Sequence, residues 1–520
     1  MSYARCPFLC RPQRVTLCSN LLYSPTKTGH RVSVTLPLVH EASVAKGTKA
    51  LGRWKRRLPW VIGIPAVVLA GLLLVAVWDF RAIEHHATEG PFEFQPQACA
   101  GTPLGNAALA TSPTSVGLSA WTTFEGSTSH NMAIVAHGFH ASWQFETGGS
   151  VVGAPAVVHG VVYAGSMDGC VYALNAATGQ LIWSFAADNQ LMSEPLVANG
   201  NVFVTSGNKV FVVTSTGLIR GSGANTLYVL SAQTGTEIGS VPMVGTGMPT
   251  PVYSNGVVYA ATGGQEFYAV SATTGQLLWQ LPDGVYASMS SPVVVGNTVI
   301  FGGAAPYELL GINDQTHTIA WTLPLPDASG GVDDLSPTVS GNVVYAQVPE
   351  GTVLPHIVEL AVNATTGQLV WQTTLGVDYR NLWQRALRQG YVASYGGEEV
   401  GIATVVGNNL YVGTPGLPDL WDLNAQTGAV IWRRALPEAV RSSPTIVGTT
   451  LYAVGRNRLL VLNATTGQLL KSSHYNDFVE GSGAMIECTT ASPEIIGKTL
   501  FLEGGYNGYS IIATPLDASD

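Results

Sequence analysis

The chain has 520 residues, of which 46% are hydrophobic, 11% are charged and 59 are glycine, with a formal net charge of −9 at pH 7. That is ample apolar material for a large core, and so many glycines suit a protein of strands and turns better than one of helices. Residues 1–60 hold 11 Lys/Arg against the single acid Glu41, while residues 61–520 hold 13 against 32; an acidic main body excludes nucleic acid as its partner, because phosphate binding rests on clustered Lys and Arg.

Residues 1–59 are basic and show no hydrophobic periodicity, so they read as a disordered cytoplasmic tail. Their Cys6, Cys10 and Cys18 lack the spaced His partners of a zinc site. An alternative reading has residues 1–45 untranslated, because Lys46 onward already forms a complete anchor. Trp60 to Trp78 is an uninterrupted, uncharged run just long enough to cross a bilayer, with a Trp at each expected interface. Lys46, Lys49, Arg53, Lys55, Arg56 and Arg57 precede it, and Asp79, Arg81 and Glu84 follow. The positive-inside rule then gives a single-pass signal anchor of the cell membrane, N-terminus in the cytoplasm and main body outside. The alternative, a cleaved signal peptide, calls for a shorter apolar core and a small-residue cleavage site. Residues 79–130, rich in Ala, Ser, Thr, Gly and Pro, read as a flexible extracytoplasmic tether. Cys99, Cys170 and Cys488 all lie beyond the anchor, leaving room for one disulfide whose pairing stays open.

Residues 131–520 are built on a recurring phrase. An alternating apolar–polar run leads into Asn/Ser-Ala-x-Thr-Gly, then two or three apolar residues, then usually Trp. It runs from Leu174 through Gly179 to Trp183, from Ser271 through Gly275 to Trp279, from Asn363 through Gly367 to Trp371, and from Asn424 through Gly428 to Trp432. Weaker copies end at Gly235 and pass through Gly467, and a degenerate one reaches Trp321. The alternation predicts strands, Asn175 and its equivalents begin a turn, and the Gly takes a positive φ. The Trp is expected to lie flat against the neighbouring unit. Each unit also opens with a strand at a Pro, at 155, 195, 251, 292, 337, 444 and 493, and without a Pro near 402. Such self-similarity predicts an all-β propeller of four-stranded antiparallel blades, eight in number, or seven if the copy near 402 is not a blade. The last unit lacks its outer strand, and the orphan strand around Trp143 is expected to supply it, closing the ring.

The Gly and Trp residues of the phrase are scaffold on this reading, so function is sought in loops. Residues 376–401 carry Arg380, Trp383, Arg385, Arg388, Tyr391 and Tyr395, residue types that dominate interface hot spots, and form the candidate partner-binding loop. Acidic residues in 325–335 (Asp327, Asp333, Asp334) and in 473–492 suggest a hard cation only if they converge, and no metal site is assigned. No catalytic motif appears, since no nucleophile elbow, phosphate loop or zinc-hydrolase helix is present.

The Asn/Ser-Ala-x-Thr-Gly-x-x-x-Trp phrase resembles the repeat of pyrroloquinoline-quinone (PQQ) type propellers over about residues 140–515. That family includes quinoprotein alcohol and glucose dehydrogenases and the non-enzymatic lipoprotein of the outer-membrane β-barrel assembly machinery. The dehydrogenases hold the quinone against two adjacent cysteines, and no two cysteines are adjacent here. The resemblance therefore implies a membrane-anchored, non-catalytic scaffold for a protein or cell-envelope partner, without a cofactor. The alternatives are a membrane-bound dehydrogenase of alcohols or sugars using PQQ and calcium, or a sensor whose tail signals inward.

Overall fold

The computed structural model describes Phe94, Ala98, Cys99, residues 102–104 and residues 141–516, apart from 209, 215–216, 329–331, 333, 352–355, 378–400, 415–416, 441, 456–457, 475–491 and 504–509. The tail, the apolar run 60–78 and most of the tether lie outside the described residues. Among the described residues no helix is long and apolar enough to cross a membrane.

Eight antiparallel sheets of at least four strands follow one another along the chain, giving an eight-bladed propeller. Blades 1 to 7 span 156–186, 196–242, 252–282, 293–324, 338–377, 404–435 and 445–474. The copy near 402 is a true blade, with strands Thr404–Val406, Asn409–Thr414, Asp419–Asn424 and Val430–Ala435. We label the strands of each blade A to D from the axis outward. The A strands are short, three residues in each blade, and those of neighbouring blades touch from blade 1 round to blade 6.

Blade 8 closes the ring as the orphan strand predicts. Its strands Glu494–Ile496, Thr499–Glu503 and Ser510–Pro515 are completed by Trp143–Glu146, with Phe145 opposite Ile511. A fifth strand, Thr102–Leu104, pairs outside that one, and Cys99 is joined to Cys170 of blade 1 by a disulfide. Cys99 and the strand Thr102–Leu104 are thus fastened to blades 1 and 8, where the ring closes.

The repeated phrase makes the seams between blades. The indole N–H of Trp143 donates to Ala176 O at 2.8 Å. Those of Trp183, Trp321, Trp371 and Trp432 donate to Ala232, Ala364, Ala425 and Ala464 O, each at 3.0 Å. Each acceptor is the Ala of the next blade's Ala-x-Thr-Gly turn, so the phrase contains both halves of the contact. The ring then covers the glycine of that turn. A Cβ on Gly367, whose φ is 69°, would stand 2.5 Å from the Trp321 ring.

Hydroxyls tie the blades together nearer the axis. Through blades 2 to 5 the hydroxyl before an opening Pro accepts from the N–H of its counterpart one blade earlier: Glu194 N–H donates to Thr250 Oγ1, Thr250 N–H to Ser291 Oγ and Ser291 N–H to Ser336 Oγ, each at 3.0 Å. In the second half of the ring Thr338, Thr404 and Thr445 donate to Ala403, Pro444 and Pro493 O, each at 2.6 Å.

Candidate functional site

Loops joining strand D to the next strand A, and turns joining B to C, emerge at the same end of every blade. Blade 2 enlarges its B–C connection into a hairpin, Phe211–Thr214 paired with Gly217–Arg220. This insertion explains the long spacing between the openings at 195 and 251. The hairpin's last residue is built into blade 3: Arg220 N–H donates to Gly263 O at 2.8 Å, and Thr246 N–H to Arg220 O at 2.6 Å. Three backbones meet here because glycines leave room; a Cβ on Gly221 would lie 2.3 Å from Thr246 N. From that base the Arg220 guanidinium reaches Asp334, in the loop entering blade 5, at 3.6 Å. A pair only 15% and 18% exposed therefore links the blade 2 hairpin to the loop between blades 4 and 5 at the D–A end.

Among the described residues, the positions two places before a pre-proline residue are Val152, Met192, Met248, Met289 and Asp334, all in loops of this same end, or mouth, of the ring. Val152, Met192 and Met248 pack as one buried cluster, with Met167 and Met289 against it. Among the described residues this end thus combines a polarisable apolar cluster with the Arg220–Asp334 pair.

Other carboxylates sit deeper in the blades. Asp283, at the end of blade 3, is pushed by burial up to about 8, with Glu266 and Glu308 adding repulsion. Glu359, on strand C of blade 5, is fully buried, and burial pushes it up to about 8 against the opposing influence of the Gln347 amide. Asp422 of blade 6 is raised by burial to about 6 although the Asn409 amide donates to it at 2.7 Å. Asp188 instead accepts from Ser206 and Thr226 hydroxyls at 2.6 Å and braces blade 2.

Of the residues singled out in the sequence, the loop bearing Arg380, Trp383, Arg385, Arg388, Tyr391 and Tyr395 lies outside the described residues. So do Asp333 and most of 473–492. Asp327 and Asp334 do not converge: Asp334 pairs with Arg220, while Asp327 lies beside Glu350. Among the described residues no group of three His, Cys, Asp or Glu is arranged to hold a metal ion. Sequence reasoning missed Arg220 and the methionines; aligning the chain on its opening prolines would have shown Met192, Met248 and Met289 at one repeat position. A shallow cleft between blades 4 and 5, lined by Pro324, Asp327, Glu350 and Gln372, lies at the outer strands, away from this mouth.

Among the described residues the adjacent cysteine pair of the quinoprotein dehydrogenases has no counterpart: Cys99 and Cys170 are 71 residues apart in sequence, and Cys170 belongs to strand C of blade 1. At the D–A end Met192 and Met248 are only 6% and 5% exposed.

The family model described as outer membrane protein assembly factor BamB matches residues 140–220, 206–355 and 356–514. Among individual proteins, the tetrathionate hydrolase of Acidithiobacillus ferrooxidans is 29% identical over 70% of this chain and 72% of its own. That of Acidianus ambivalens is 29% identical over 69% of both. The assembly factor BamB of Legionella pneumophila is 28% identical over 67% of this chain and 79% of its own. Among solved structures, BamB from Moraxella catarrhalis superposes with a TM-score of 0.50 at 17% identity, covering 70% of this chain and 96% of its own. A europium-containing methanol dehydrogenase gives 0.52 at 13%, covering 74% and 88%. These two structural likenesses establish the fold alone.

Proposed function

We propose that this chain, which belongs to the propeller family described as outer membrane protein assembly factor BamB, is an extracytoplasmic hydrolase of tetrathionate or a closely similar polythionate. The observation that carries this reading is its likeness to two tetrathionate hydrolases over most of the ring, in both chains compared. The mouth suits such a substrate. A polythionate is a dianion with sulfonate ends and a polarisable sulfur chain between them. Arg220 offers a guanidinium to a sulfonate, and the thioethers offer a soft surface to the chain. Hydrolysis adds water oxygen to one sulfur while the S–S electron pair leaves with the other. The water's proton passes to a base, and Asp334 is the carboxylate in place to accept it. The Cys99–Cys170 disulfide supports a propeller outside the cytoplasm, where such bonds persist, and the run 60–78 would anchor it to the cell membrane.

The test is to incubate the purified full chain with tetrathionate from about pH 3 to pH 8 and follow the anions released by ion chromatography. Turnover is expected, and R220Q should lower kcat/KM about 100-fold, as loss of a charge-stabilising donor does. Tetrathionate left intact across that range would overturn the reading.

A second reading, a non-catalytic scaffold for a protein partner, is favoured by the similarity to the Legionella assembly factor. It assigns binding to the Arg380–Tyr395 loop. It predicts no turnover, together with loss of a co-purifying partner on combined substitution of Arg380, Trp383 and Arg385 by Ala.

A further inference from the structure

We propose that Met192, Met248 and Met289, with Met167 beside them, form a thioether site for a soft monovalent cation, Cu(I) being the physiological class and Ag(I) its air-stable probe. This site shares its side chains with the mouth assigned above to the polythionate, but it does not need the hydrolase reading.

The argument begins with where methionine occurs. The chain has eight methionines, and four of them, Met167, Met192, Met248 and Met289, belong to this one cluster. The seams between blades are filled by Val, Leu, Ile, Ala and aromatic side chains, and Met243 is the one methionine among their described residues. Packing between the blades thus draws on a single thioether among the described residues. At the mouth they are concentrated at one repeat position in three consecutive blades. Val152 fills the same position in blade 1 and Asp334 in blade 5.

Position supplies convergence. Residues at equivalent places on adjacent blades are brought together around the axis, and Met192 and Met248 belong with Val152 to one buried cluster there, with Met167 and Met289 packed against it. Each sulfur presents a lone pair and no competing proton, since a thioether does not titrate. Such ligands select soft d10 cations such as Cu(I) and discriminate against calcium, magnesium and, in the absence of thiolate or imidazole, zinc. Flexible, unbranched side chains can draw their sulfurs around an ion without moving the backbone, which the hydroxyl ties of Glu194, Thr250 and Ser291 hold in place.

The experiment uses the full chain with Cys6, Cys10, Cys18 and Cys488 replaced by Ser, so that no free thiol competes and no new thioether is made by alkylation. Ag(I) binding is measured by calorimetry, and Cu(I) by competition with bicinchoninate. One ion per chain is expected, with no heat from calcium or zinc. The triple variant M192L/M248L/M289L preserves size and apolarity, and it should lose more than about 100-fold in affinity while keeping its circular dichroism and thermal midpoint. M243L, in the seam of blades 2 and 3, should bind as the parent does. A parent chain that binds no Ag(I), or a triple-Leu variant that binds as tightly, would overturn the proposal and leave the cluster as an apolar plug.

Discussion

At the residue scale, the recurring phrase carries its own contact wherever it ends in Trp, as five indole N–H bonds to the next blade's Ala show. Trp321 bonds to Ala364 and covers Gly367, one blade further on, so turn and ring are selected together. The exception follows the same logic. In blade 4 the glycine is replaced by His317, at φ 55°, and Trp279 of blade 3 stacks on the imidazole with ring centroids 4.6 Å apart. Truncating the ring in W321A should cost about 3–5 kcal/mol, read as a lowered denaturation midpoint. G367A should cost at least about 1 kcal/mol from the left-handed backbone, with further loss because the indole must move. Burial also leaves a pH signature. Asp283 and Glu359 are raised from ordinary values of 3.8 and 4.5 to about 8. The folded chain therefore holds protons that the unfolded chain has already released. Stability should be fullest below the unfolded values and fall as pH rises through that window. Thermal midpoints at about pH 5 and pH 8 should show the fall, and E359Q, neutral at both, should make it shallower.

At the element scale, the propeller was legible because each blade repeats its own instructions within about 40 residues. The openings at the prolines, the Thr-Gly turns and the orphan Trp143 strand all appear where the pattern puts them. What the pattern could not show is whatever departs from the repeat. The hairpin Phe211–Arg220 and the outermost strand Thr102–Leu104 have no second copy to be compared with. The Arg220–Asp334 pair joins two loops whose meeting depends on ring curvature rather than on local sequence. The disulfide belongs to this class as well. By closing a loop over a sequence separation of 71, it should contribute about 4 kcal/mol on the chain-entropy account. C99S, which spares the buried Cys170, should lower the thermal midpoint by several degrees, and reduction should do the same to the parent but not to C99S. Equal midpoints for parent and variant would mean that the D strand of blade 8 alone closes the ring.

At the scale of the whole molecule, eight similar blades make a platform whose two ends differ. The D–A end carries the blade 2 hairpin, the methionine floor and the Arg220–Asp334 pair, and it is also the end from which the Arg380–Tyr395 loop leaves blade 5. A scaffold role and a catalytic role would therefore use the same end of the ring, which makes ligand position the deciding observation. A crystal structure of the full chain soaked with tetrathionate, with the sulfurs located by anomalous scattering, supplies it. The account predicts an eight-bladed ring with a sulfonate on Arg220 and the sulfur chain against Met248 and Met289. Ligand bound elsewhere, or a mouth that stays closed to it at saturating concentration, would contradict it.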